Sequence, residues 1–118
     1  MNFAFSEDQE ALRKVVKDFL NAKSSEETVR ELMDTEAGYD QAVWTQMAEQ
    51  MGLQGLIIPE EFGGSGYSFV ELIVVLEEMG RRLLCAPYFS TVVLGGQTLI
   101  HSGDDAAKAE YLPGIASG

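Results

Sequence analysis

The stretch from Ser68 to about Leu84 limits the fold most severely, because it is apolar on nearly every side of a helix. Phe69, Leu72, Ile73, Val74, Val75, Leu76, Met79 and Leu83 leave no wide polar face. Ser68, with Glu71 three residues on, forms a capping box that opens it. A helix of this kind needs cover, so the pattern predicts a central helix surrounded by others.

The rest of the chain supplies candidates for that cover. Ser6 with Gln9 makes another capping box, and Leu12, Val15, Val16, Phe19 and Leu20 repeat behind it at helical spacing. Ser25 caps a shorter helix through Met33 that should end near Gly38, with Glu26 and Glu27 favourably placed in its first turn. Asp40 caps a third helix with Val43, Trp44, Met47 and Met51 on one face and Gly52 as a left-handed stop.

Leu53 to Ile58 reads as an apolar connector, ended by Pro59 and the glycine-rich loop Glu60 to Gly66. Pro87 opens a helix through Val92, Val93, Leu94, Leu99 and Ile100 to a break at Gly103. Asp104 caps a last short helix, which Pro113 and Gly114 should stop. No stretch alternates with period two, so the expected fold is all-α, a compact bundle of about six helices in one domain over residues 1–118.

A net charge of -11 repels phosphate backbones and anionic lipid surfaces alike, which argues against a nucleic-acid or membrane partner. The apolar runs are too short to span a bilayer, and no basic, then apolar, leader opens the chain. A cytoplasmic protein is expected. Cys85 and His101 are each the only residue of their type, too few for a disulfide or the usual metal ligand sets, so no metal is expected.

Three features could carry chemistry. Gly63, Gly64 and Gly66 suggest a phosphate cradle, but no Lys-Ser or Lys-Thr follows and no strand precedes them, so a turn is the better reading. Neighbours such as Glu60-Glu61 or Glu77-Glu78 would point about 100° apart on a helix and cannot converge on one substrate atom. Gly95-Gly96 costs about 1 kcal/mol per residue inside a helix relative to Ala, which implies a close backbone approach to another helix or to a ligand.

Read in order, several motifs resemble the opening of the acyl-CoA dehydrogenase family. They are Phe5-Ser6-Glu7-Asp8-Gln9, Trp44 followed by Gly52-Leu53, and Pro59-Glu60-Glu61-Phe62-Gly63-Gly64-Ser65-Gly66. Glu77-Glu78-Met79-Gly80-Arg81 follows, then Gly103 with Lys108 and Tyr111-Leu112-Pro113-Gly114-Ile115-Ala116-Ser117-Gly118. The resemblance covers the whole chain and implies the N-terminal helical domain of a three-domain, FAD-dependent enzyme.

In that family a carboxylate removes the α-proton of an acyl-CoA while the flavin accepts hydride from the β-carbon. The resemblance places both the base and most flavin contacts outside these 118 residues. It therefore implies a fragment without catalytic residues, inactive and unable to hold FAD alone. It assigns one wall of the acyl pocket to Pro87, Ser90, Thr91, Leu94 and Gly95, and docking of an electron-transfer flavoprotein to Leu12, Val16 and Phe19.

The full-length protein would form a homo- or hetero-oligomer. Cys85-Ala86-Pro87-Tyr88-Phe89 departs from the family's commoner small-residue version and resembles divergent bacterial paralogues, some of which pair with a subunit lacking a working site. A non-catalytic helical subunit or interaction module is therefore the alternative, and a relative with oxidase or monooxygenase chemistry a third reading.

Overall fold

A computed structural model describes residues 1–118. The chain runs through α1 (Glu7–Lys23), α2 (Glu26–Met33), α3 (Gln41–Glu49), a 3-10 turn (Glu60–Phe62) and α4 (Phe69–Arg81). A π-helical segment (Phe89–Gly96) then continues into α5 (Gln97–Ile100), and α6 (Asp105–Ser117) closes the chain. There is no strand, and no helix is long and apolar enough to cross a membrane.

The helix starts follow from their caps. Ser6 and Gln9 close a reciprocal capping box on α1, and Ser68 and Glu71 do the same on α4. Ser25, Asp40 and Asp104 accept backbone N–H groups at the starts of α2, α3 and α6. Gly52 takes the left-handed conformation expected of it, with φ +61°.

The ends differ more. α2 stops at Met33, and Gly38 (φ +75°) sits in the following loop, where its N–H donates to Thr35 Oγ1. α3 stops at Glu49, so Met51 packs on the core from outside the helix. α4 ends at Arg81 rather than Leu84. The Leu84 N–H reaches back to the Met79 carbonyl and the Leu83 N–H to Gly80, a Schellman turn that sets Leu83 at φ +51°. α6 runs through Pro113 and Gly114 to Ser117 instead of stopping. Fully buried Leu112 and half-buried Ile115 and Ala116 anchor it against the core, and this packing offsets the roughly 3 kcal/mol that an interior proline costs.

The molecule is a slab of 42 × 42 × 21 Å. A thickness of 21 Å admits about two helix diameters, so no helix can be covered all round. The expectation of a surrounded central helix is corrected on this ground. α4 lies along α1 and buries Leu72, Val74, Val75 and Met79, while Phe69 is 52% exposed and Val70 and Ile73 also face out.

The core fills from an unexpected source. Leu53, Leu56 and Ile57 of the non-helical connector join Val16, Leu20, Trp44, Met47, Leu72, Val75, Met79, Tyr88 and Val92 in one cluster. A buried irregular segment must satisfy its own polar groups. Here the Gly55, Leu56 and Ile58 carbonyls accept the Ser65, Tyr67 and Gly66 N–H groups at 2.9 Å, and the Leu53 carbonyl accepts the Tyr88 hydroxyl at 2.7 Å.

Candidate functional site

The π segment is a departure from regular helix that lies beside an opening, and it ends on two glycines. A Cβ on Gly95 would lie 3.3 Å from the Ser90 carbonyl oxygen, and one on Gly96 would lie 3.6 Å from that of Thr91, each five residues back. No atom of another helix comes within 4 Å of either position. Gly95 is therefore tight against the widened register itself, whereas a Cβ at Gly96 would make an ordinary contact, and interhelical packing accounts for neither. Such wide turns inside helices are frequent at functional sites.

Beside this segment lies an open groove of about 460 Å³. Trp44, Pro87, Thr91, Leu99, Tyr111 and Ile115 line it, with Gly114 and Gly118 at one end and no charged side chain. Behind Trp44, fully buried Gln54 donates through Nε2 to the Trp44 carbonyl at 2.8 Å, while its Oε1 has no partner. Buried Tyr88, at the start of the π segment, donates its hydroxyl to the Leu53 carbonyl of the connector, and burial pushes its phenol far above the ordinary value, so it stays a neutral donor. Gln54 did not stand out in the sequence, and Tyr88 stood out only within the departing string Cys85 to Phe89. The one available signal for Gln54 was a glutamine in the middle of the apolar run Leu53 to Ile58.

The five proposed wall residues divide here. Pro87 and Thr91 line the groove. Ser90 and Leu94 do not line it and are exposed, Leu94 at 54%, and Gly95 is half-buried outside it. On α1, Leu12 lines a hollow of about 480 Å³ with Ser6, Gln9, Tyr67 and Glu71. Phe19 is half-buried. Val16 is fully buried in the core cluster and offers no surface to a partner, so it is corrected from a docking contact to a core residue.

The acidic pair is structural. Arg13 reaches Glu77 at 2.9 Å and Glu78 at 3.4 Å, and Arg81 Nε holds Glu78 at 2.7 Å. Burial alone would raise the Glu78 carboxyl, but the hydrogen bonds and charges of Arg81 and Arg13 outweigh it and hold it below the ordinary range. The Arg13 guanidinium is raised in turn, chiefly by its hydrogen bond to Glu77. The cluster ties α1 to α4 and holds Glu78 as the carboxylate. No three His, Cys, Asp or Glu side chains converge as a metal site would need.

The glycine-rich loop does not fit a flavin's phosphates. Its Gly64, Ser65 and Gly66 amides are spent on the carbonyls of Pro59, Gly55 and Ile58, and a Cβ on Gly64 would fall 2.0 Å from the Ile58 carbonyl oxygen. The uncharged groove lacks cations for a pyrophosphate as well.

The structure is thus a helical slab with an apolar groove beside its π segment. The chain belongs to the acyl-CoA dehydrogenase family, whose model "Acyl-CoA dehydrogenase, N-terminal domain" matches residues 6–118. It is 42% identical over 88 residues to acyl-CoA dehydrogenase IpdE2 of Mycolicibacterium smegmatis, which covers 75% of this chain and 28% of that protein. Its fold is similar to a chain of the ChsE4-ChsE5 complex from Mycobacterium tuberculosis, with TM-score 0.87 and 27% identity, over 99% of this chain and 32% of that one. A chain in a structure of the electron transferring flavoprotein of Acidaminococcus fermentans gives TM-score 0.74 and 29% identity, over 100% of this chain and 31% of that one. The chain thus spans about a third or less of the length of these relatives.

Proposed function

We propose that this chain is the helical part of an acyl-CoA dehydrogenase that introduces an α,β double bond into an acyl-CoA thioester, and that it supplies one wall of the acyl pocket. The observation that carries this is the groove without charged side chains beside the π segment, with Pro87 and Thr91 on its lining. Ser90, Leu94 and Gly95 belong to the same π segment, and Ser90 and Leu94 are exposed on it. Such a wall can hold an acyl chain by area and shape, while the FAD and the catalytic base are carried by other parts of a longer protein. The residues here position and desolvate; none of them transfers a proton.

On the same reading the longer protein is a cytoplasmic oxidoreductase of fatty acid or lipid catabolism that works as an oligomer. Likeness to a chain of the ChsE4-ChsE5 complex supports a heteromeric assembly. An electron-transfer flavoprotein is the proposed electron acceptor, supported by the likeness to a chain in that structure. Leu12 and Phe19 are the residues of α1 left with surface for it.

The test is Leu94→Trp in the longer protein. Leu94 is more than half exposed in this domain, so the change leaves folding intact. It should lower kcat/KM for long acyl-CoAs by about 10- to 200-fold and for short ones far less, the range that a methylene-sized pocket change commands. A variant that keeps its flavin and loses activity equally at all chain lengths, or loses none, removes Leu94 from the pocket.

A further inference from the structure

The C-terminal end of α4 gathers cationic and apolar surface that the acyl-CoA reading leaves unused. On one side, a pocket of about 420 Å³ between α2 and α4 is lined by Val29, Arg30, Met33, Arg81, Arg82 and Leu83. On the other, an apolar hollow of about 230 Å³ is lined by Leu76, Met79, Leu84, Ala86 and Phe89. Leu83 belongs to both. It is 69% exposed and holds the left-handed conformation, where glycine is the usual residue.

Three of the four arginines of the sequence line the first pocket, in a chain of net charge -11. Arg81 is neutralised by Glu78, and Glu26 contributes one carboxylate to the lining. Arg30 and Arg82 have no carboxylate within 4.0 Å. The Arg82 Nη2 donates to the Asn21 carbonyl at 3.2 Å, and its buried Nε has no partner.

We propose that this end of α4 is a docking site for an acidic segment of a separate protein, with an apolar side chain seated beside Leu83. Charge complementarity selects the occupant: on a strongly acidic molecule this is the place where a carboxylate-rich segment is attracted rather than repelled. Exposed Met33, Leu83 and Phe89 beside the arginines give the apolar anchors that protein interfaces favour and that an inorganic anion could not use. An anionic membrane is disfavoured as the occupant by the chain's net charge of -11, which repels an extended anionic surface.

The experiment is fluorescence anisotropy of the 118-residue chain with a labelled peptide in which Glu and Asp flank a central Leu-Phe pair. Saturable binding that weakens with added salt is expected. Leu83→Gly, which relieves the left-handed leucine and so keeps the fold, and Arg30→Gln, on an exposed side chain, should each weaken binding at least about tenfold, the size of an interface hot spot. The proposal is overturned by binding that survives either substitution, by equal binding of a peptide with Gln in place of the acids, or by no saturation up to about 1 mM. Decanoate, but not the peptide, binding in a Leu83-dependent way would assign the site to a fatty acid instead. The longer protein must bind the peptide too; if it does not, the cover is part of the same chain.

Discussion

Residues 53–67 and residues 88–100 form adjacent parts of the molecule that are held in opposite ways. The first is almost devoid of regular structure, yet Leu53 to Ile58 are buried and the Gly55, Leu56 and Ile58 carbonyls are closed by the Ser65, Tyr67 and Gly66 amides. The second is helical throughout, yet Phe89 and Leu94 face outward and its backbone is widened to i to i+5 spacing. Order follows from where backbone hydrogen bonds close and what they exclude, and a helix label guarantees neither. The locked loop forms the floor of the fold, and the widened helix carries the exposed face to which the acyl wall is proposed to belong.

The sharpest way to break this contrast is Gly64→Ala. Its Cβ would stand 2.0 Å from the Ile58 carbonyl oxygen and 2.6 Å from that of Gly55, both backbone atoms inside the locked segment. No side chain can move aside to relieve it. Loss of about 4 kcal/mol or more is expected, at the severe end for a single substitution, and chemical denaturation should show a chain unfolded or nearly so. A loss below about 1 kcal/mol would show that the connector flexes and is not the floor.

Much of this was legible in the sequence, and the reasons are local. Ser6, Ser25, Asp40, Ser68 and Asp104 each fix a helix start through their own side chain, so their positions could be read without tertiary knowledge. Helix ends depended on distant packing: Pro113 stays inside α6 because Leu112 and Ile115 are held by the core. The cover on α4 was overestimated because apolar pattern records what could be buried, while the 21 Å slab decides what is. Among site residues, Pro87 and Thr91 reach the groove, whereas Val16 was indistinguishable from Leu12 by spacing alone and lies inside. The π register left only Gly95-Gly96 as its trace.

A second, smaller effect sharpens the contrast by its pH dependence. The connector is closed by backbone groups that do not titrate, whereas α1 and α4 are joined through Glu78, Arg13 and Arg81. Glu78→Gln should cost about 1–3 kcal/mol at neutral pH, as expected on removing charge-assisted hydrogen bonds from a 5% exposed group. The folded Glu78 carboxyl titrates below its ordinary value, so its contribution is complete above the unfolded carboxylate pKa. It is then lost as pH falls through the folded one. The stability gap between wild type and Glu78→Gln must therefore close in acid. A gap that stays constant down through the carboxylate range would mean that packing, not charge, holds the α1–α4 seam.

The smallest expected effect is the most informative about the widened helix, because Gly95→Ala sets two comparable terms against each other. Replacing glycine by alanine inside a helix gains about 1 kcal/mol of propensity. Against it, the new Cβ would sit 3.3 Å from the Ser90 carbonyl oxygen, close enough that the π turn must open slightly or tighten toward α spacing. The two nearly cancel, so stability should change by less than about 1 kcal/mol in either direction, in contrast to Gly64→Ala. The structural consequence is larger than the energetic one. If the turn tightens, the Thr91 and Leu94 side chains rotate relative to each other about the helix axis, and the groove lined by Thr91 changes shape. Amide chemical shifts across residues 89–97 report this directly. Shifts confined to residue 95 and its neighbours, with stability unchanged, would show that the π register is fixed by packing around Tyr88 and Val92 rather than by the paired glycines.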